Sequence, residues 1–222
     1  MASARLSSYQ DPHALAPTRD ALLQAMLPLV VFDGWSAATL ASAARDAGID
    51  SDAVVAAFPG GAVDALELFL KHGDAATEDA IEQLPLAQMK IREKVAAGVM
   101  ARLHWAQPYK EAVRSGLTTL ALPQHAPTGL TALYNTVDTI WFAIGDRSTD
   151  MNFYSKRALL AGVYSSTLLI WLDDASEDLE VTRRFLDRRI ADVMQIEKGK
   201  HWLKNQWSKL GLSSSFRPKR AS

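Results

Sequence analysis

An all-α fold is predicted for this 222-residue chain by three observations. No stretch alternates apolar and polar residues for long, so strand signals are absent. Helix formers dominate, with apolar residues returning at steps of three and four. Glycine and proline cut the chain into pieces of helical length. Together these predict about nine to ten helices. Apolar residues make up 48% and charged residues 22%, an ordinary globular mix that excludes wholesale disorder.

Taken in order, residues 1–18 read as a flexible N-terminus and residues 19–70 as a small three-helix module. A first helix opens at Arg19 and stops at Gly34-Trp35. A second contains Thr39-Leu40-Ala41 and stops at Ala47-Gly48, and a short third runs from Ser51 to Phe58. Gly34 and Gly48 sit where helices must end, and only a residue without Cβ takes up a positive φ freely. A fourth helix spans about Val63 to Leu84, before Pro85. Others cover Ala87 to Trp105, Pro108 to Leu122 and Leu130 to Ile144, the segment Pro123–Gly129 between the last two reading as a loop. Met151 to Leu172 is apolar almost all round, so it must be covered on every side. The final body helix runs from Ser176 to about Ile196, with Ser176 as cap and Asp178 and Glu180 in its first turn. Residues 71–196 thus form a helical body, 197–212 an amphipathic helix and 213–222 a basic tail.

The module is patterned as a helix-turn-helix and resembles tetracycline-repressor-type regulators. Its charge is wrong for reading DNA. From Asp20 to Leu70 the only base is Arg45, against Asp20, Asp33, Asp46, Asp50, Asp52, Asp64 and Glu67, a net of −6. DNA affinity comes largely from Lys and Arg on phosphates. The third helix also lacks the side chains that read base edges. No specific DNA binding is expected.

No cysteine is present, which excludes disulfides, thiolate metal sites and cysteine nucleophiles. His13, His72, His104, His125 and His201 are scattered, with no paired metal-ligand spacing. No phosphate loop or nucleophile elbow occurs. Asp138, Asp146 and Asp150 lie close in sequence, but acids at helix ends are usually caps. No enzyme, cofactor or metal is implied, and no apolar segment is expected to span a bilayer.

Residues 198–222 carry seven bases and no acid, whereas 1–197 hold all 25 acids. On a helical wheel Trp202, Leu203, Trp207 and Leu210 fall in one stripe, with Lys198 and Lys209 on one flank and Lys200 and Lys204 on the other. That is the composition of a helix lying in a membrane interface over anionic lipid. The alternative is that the tryptophans pack on the body.

The C-terminal half resembles one family closely. Leu122-Pro123-Gln124-His125-Ala126-Pro127, Val137-Asp138 with Trp141, Gly145-Asp146-Arg147-Ser148-Thr149-Asp150-Met151-Asn152-Phe153-Tyr154, and Thr182 with Phe185-Leu186 and Arg189 are similar to the ubiquinone-biosynthesis accessory family of coenzyme Q protein nine and its bacterial relatives. The resemblance implies a tetracycline-repressor-like fold without DNA recognition. It implies a non-catalytic, homodimeric lipid-binding protein that presents an isoprenoid quinone or precursor to a di-iron demethoxyubiquinone hydroxylase. Its motif match places a partner-facing patch at Asp138, Asp150, Phe153, Tyr154 and Arg157, unless Arg157 merely pairs with Asp150. The mitochondrial members usually have Trp in place of Phe153. Helical periodicity proposes the pocket walls: Leu120, Leu133, Val137, Trp141, Leu159, Val163 and Leu168. The N-terminus lacks a mitochondrial presequence, so a bacterial cytoplasmic protein, peripheral on the inner face of the cytoplasmic membrane, is expected. A ligand-responsive transcription regulator and a ligand-free scaffold are the competing readings.

The charge argument predicts that the chain discriminates no duplex sequence at physiological salt. Gel-shift titration against a scrambled competitor checks this. Selective retention of one sequence contradicts it, whereas weak retention at low salt reflects only the basic tail.

Overall fold

A computed structural model describes residues 12–148 and 151–209, with side chains placed over 15–148 and 153–195. The helices are α1 (Pro12–Asp33), α2 (Ala37–Asp46), α3 (Ser51–Ala57), α4 (Ala62–Glu82), α5 (Ile91–Ala106), α6 (Lys110–Leu120), α7 (Ala126–Ala143), α8 (Met151–Asp173) and α9 (Glu180–Lys209). No strand occurs among the described residues, and the fold is all-α.

Helix α1 begins at Pro12, seven residues before the expected start, and proline suits a first turn. Its Leu22, Leu23, Met26 and Val30, spaced by one, three and four, are fully buried. The stretch Leu15–Asp33 also reaches the length and apolarity of a bilayer span, against the expectation that none does. Its inward face is part of the continuous core that also holds Leu40, Phe58 and Phe69.

The turns follow the expected chemistry. Gly34 and Gly48 take φ of +67° and +66°, where a side chain would be strained. Ser36 Oγ accepts from the Thr39 N–H at 3.1 Å, and Asp50 Oδ1 accepts from the Ala53 N–H at 2.9 Å. Both satisfy first-turn donors that the helix itself leaves open. The outward face of α3 presents Ser51, Asp52 and Val55.

Trp35 fastens the module to the body. It is buried, and its indole N–H donates to the Ala112 carbonyl on α6 at 3.0 Å. Phe69 on α4 continues the join, its ring centroid 5.6 Å from Trp35 and 5.1 Å from Trp105 on α5. In the body, α4 packs on α5 and α7, and α8 lies between α7 and α9.

Three boundaries differ from the sequence reading. A 3-10 turn at Leu86–Gln88 delays α5 to Ile91. Half of the expected loop 123–129 is helical, because α7 opens at Ala126 with Pro127 in its first turn. The last helix does not end near Ile196 but continues as α9 through Lys209.

The start of α9 also has an unexpected anchor. Ser176 Oγ does accept from the Val181 N–H at 3.2 Å. The stronger anchor is buried Asp174, which accepts from the Thr182 N–H at 2.8 Å and hydroxyl at 2.6 Å. It also accepts from the Ser176 N–H at 2.8 Å and hydroxyl at 2.5 Å. Between them Asp178 and Leu179 take left-handed φ of 50° and 57°, a strain that Leu179 offsets by being buried.

Burial works to raise the Asp174 pKa, but the hydrogen bonds from Ser176 and Thr182 outweigh it and hold the carboxyl at about 2. A depressed folded-state pKa stabilises above the unfolded value and is lost as pH falls. Asp174 therefore contributes about 2 kcal/mol above roughly pH 4, lost between about pH 4 and 2. Asp174→Ala should lower stability at neutral pH by about that amount and flatten the acid limb of a pH–stability profile. An unchanged acid limb in urea titrations contradicts it.

Candidate functional site

Helices α4 to α8 do not close on one another. They enclose a cavity of about 450 Å³, walled mainly by Leu66, Phe69, Leu117, Leu120, Leu133 and Leu168. Two small residues allow the helices to approach around it. A Cβ on Gly116 would lie 2.9 Å from Leu66 Cδ1, and one on Gly129 would lie 3.2 Å from Leu120 Cβ. Leu130 and Leu169, 68% and 62% exposed, belong to the same lining and form its apolar rim.

The seven expected wall residues are not brought together. Leu120, Leu133 and Leu168 line this chamber. Trp141, Leu159 and Val163 line a second cavity of about 240 Å³, with Val95 of α5 and Ile190 of α9. Val137 is fully buried and lines neither. Helix geometry explains the split. Each step of four residues advances about 40° round the axis, so Leu133, Val137 and Trp141 turn through about 80°. The α8 residues divide likewise, Tyr164 and Leu168 facing the chamber and Leu159 and Val163 the second cavity.

The chamber has one polar end, which periodicity did not reveal. Arg102 of α5 lines it, although only 2% of the residue is exposed. Its Nε donates to Asp74 Oδ1 on α4 at 3.3 Å, and the Thr136 hydroxyl on α7 donates to the same oxygen at 2.7 Å. The guanidinium also lies 4.8 Å from the Trp105 ring centroid. Gly73 makes the room, since a Cβ there would lie 2.5 Å from the guanidinium carbon. Burial raises the Asp74 carboxyl, while the Thr136 hydrogen bond and the Arg102 charge oppose that rise. Burial also raises the Tyr164 phenol, whose surroundings include both charges. The available signal was Arg102 itself, set on the stripe Val95, Val99, Arg102, Ala106 whose other members are apolar and buried.

The expected partner patch divides into a buried clamp and an exposed ring. Arg157 on α8 is only 6% exposed and does not face outward. Its Nε donates to Asp138 Oδ1 on α7 at 2.6 Å, and its Nη1 lies 3.5 Å from Asp146 Oδ2. The guanidinium sits 3.4 Å from the Phe153 ring centroid. Lys156 also donates to Asp146, at 2.8 Å. Burial works to raise Asp146, but hydrogen bonds from Lys156 and Ser148 prevail and its pKa is lowered. Outside this clamp Tyr154 is 65% exposed, edge-on to Phe153 at 5.1 Å. Asp150 lies outside the described residues.

The tail residues Lys198, Lys200, Trp202, Leu203, Lys204, Trp207 and Lys209 fall on the helical backbone of α9. Their side chains, and Leu210 altogether, lie outside the described residues.

The COQ9 family profile matches residues 126–197. Mitochondrial ubiquinone biosynthesis protein COQ9 of Rattus norvegicus is 36% identical over 79% of this chain, and that of Homo sapiens 34% over 79%. The chain spans 58% and 57% of those proteins' lengths. A TetR transcriptional regulator from Nitrosomonas europaea superposes with a TM-score of 0.65 at 19% identity, covering 79% of this chain and 97% of that one. That likeness establishes a tetracycline-repressor-like fold. The relatives are named as mitochondrial, as is a probable COQ9 from Dictyostelium discoideum. The expected bacterial cytoplasmic location is thereby corrected. It had rested on the first residues of a chain that spans little more than half of its relatives.

The clamp predicts that Arg157→Ala lowers stability by about 2 kcal/mol, because Asp146 loses one cation and Asp138 the one it meets among the described residues. Thermal melting checks this, and an unchanged Tm contradicts it.

Proposed function

The chain belongs to the COQ9 family, and on that premise we propose that it serves ubiquinone biosynthesis as a non-catalytic carrier of an isoprenoid quinone or quinone precursor. The observation that carries the reading is the chamber of about 450 Å³, apolar along its walls and polar at one end. Burying an isoprenoid tail there gains about 25 cal/mol for each Å² of apolar surface removed from water. A volume of this size is ordinary for a small-molecule site.

Such a ligand is nearly insoluble in water, so the carrier must meet both a membrane and the next enzyme. The segment from Lys198 to Leu210 is the proposed membrane contact, through Trp202, Leu203, Trp207 and Leu210 with Lys198, Lys200, Lys204 and Lys209 on an anionic surface. The proposed docking face for the di-iron hydroxylase centres on exposed Tyr154, with Phe153 behind it. Asp138 and Arg157 hold that turn of α8 in place. A homodimer belongs to the same proposal, and exposed Val181 on the last helix offers apolar surface for it.

Organic extraction of the purified protein followed by mass spectrometry should release an isoprenoid quinone or precursor. Protein that copurifies with no lipid, and takes none up from vesicles, contradicts the carrier reading. Tyr154→Lys should weaken binding to the hydroxylase by roughly tenfold or more, read by titration on immobilised enzyme. Unchanged affinity removes the docking face.

A further inference from the structure

The polar end of the chamber is built for more than filling space. Arg102 is almost wholly buried, yet its single hydrogen bond among the described residues is the one from Nε to Asp74. Its two terminal nitrogens donate to no described group. The Tyr164 hydroxyl, on the facing helix α8, likewise has no hydrogen-bond partner among the described residues. Neither residue is among the buried polar atoms sealed away without a partner, and both line the chamber. Donors that open onto an apolar chamber favour an occupant that can accept from them.

The charge balance decides what that acceptor is. Asp74, behind Arg102, already compensates the guanidinium, and no other charged residue lines the chamber among those described. An anionic head would bring an uncompensated charge into an apolar cavity, which desolvation opposes. A neutral head bearing carbonyl or ether oxygens accepts from the same donors without that penalty.

We propose that Arg102 and Tyr164 form a head-group subsite for a neutral, carbonyl-bearing amphiphile, which enters head first and leaves its tail along the apolar rim at Leu130 and Leu169. The subsite rests on the carrier reading above and adds to it the polarity of the head and the direction of binding. An anionic phospholipid is disfavoured as an occupant by its net charge. Thr136, whose hydroxyl donates to Asp74, is a positioning residue that holds that carboxylate behind Arg102.

Isothermal titration of the full chain with two tail-matched probes, decylubiquinone and decylbenzene, tests the subsite. Decylubiquinone should bind roughly tenfold tighter or more, the increment expected of hydrogen bonds from a charged donor. The double variant Asp74→Asn/Arg102→Met removes both charges together, so no lone buried charge remains. It should bring the ratio of the two affinities to about one. Tyr164→Phe, milder and nearly isosteric, should narrow the ratio by roughly threefold and carries the test if the double variant does not fold. Equal binding of the two probes by the unaltered chain, or variants that leave their ratio intact, overturn the subsite and leave the carrier reading standing. Binding of neither probe overturns both. Dioleoylphosphatidylglycerol displacing decylubiquinone at lower concentration than decylubiquinone itself overturns the neutral-head assignment.

Discussion

A guanidinium–carboxylate pair held against an apolar cavity is the constraint on which the body of this protein depends. Arg102, Asp74 and Thr136 come from α5, α4 and α7 and meet at one oxygen. A buried ion pair rarely adds stability over well-packed apolar residues. Here it fixes three helices at the wall of a chamber that packing alone would tend to close. Gly73 is needed for the guanidinium to lie flat against α4. An enclosed apolar void of that size costs up to about 10 kcal/mol, comparable with the whole stability of a domain. The opening at the rim lowers this figure, but its scale explains why an apolar occupant belongs to the account.

The same helices carry the second feature. Helix α7 supplies Leu133 and Thr136 to the chamber, and Asp138 of the clamp follows two residues on. Helix α8 supplies Tyr164 and Leu168 to the chamber and Arg157 to the clamp. The Asp138–Arg157–Asp146 arrangement therefore ties the turn bearing Phe153 and Tyr154 to the chamber walls.

Much of the fold was legible in the sequence where a local rule decides. Gly34 and Gly48 end their helices, and Ser36 and Asp50 cap the next ones, because each rule concerns only neighbours in the chain. The chamber was legible only in part. Steps of four residues drift about 40° round the axis each time, so of the expected Leu133 and Trp141 only Leu133 reaches the chamber. The polar end was missed because nothing in the local pattern tells that Arg102, Asp74 and Thr136 converge. Arg157 was singled out by its motif, but its inward orientation depends on Asp138 and Asp146, partners that sequence distance does not rank. At the start of α9 the Ser176 cap was legible, whereas the Asp174 anchor was not, because Asp174 lies eight residues from the Thr182 amide it holds.

The chamber's role as a lipid site can be read directly by photo-labelling. A diazirine-bearing farnesyl analogue, irradiated with the full chain and followed by peptide mass spectrometry, should label α7 and α8 around Leu130, Leu133, Leu168 and Leu169. Excess decylubiquinone should suppress that labelling. Label confined to the tail of α9, or spread over the surface without competition, contradicts the account.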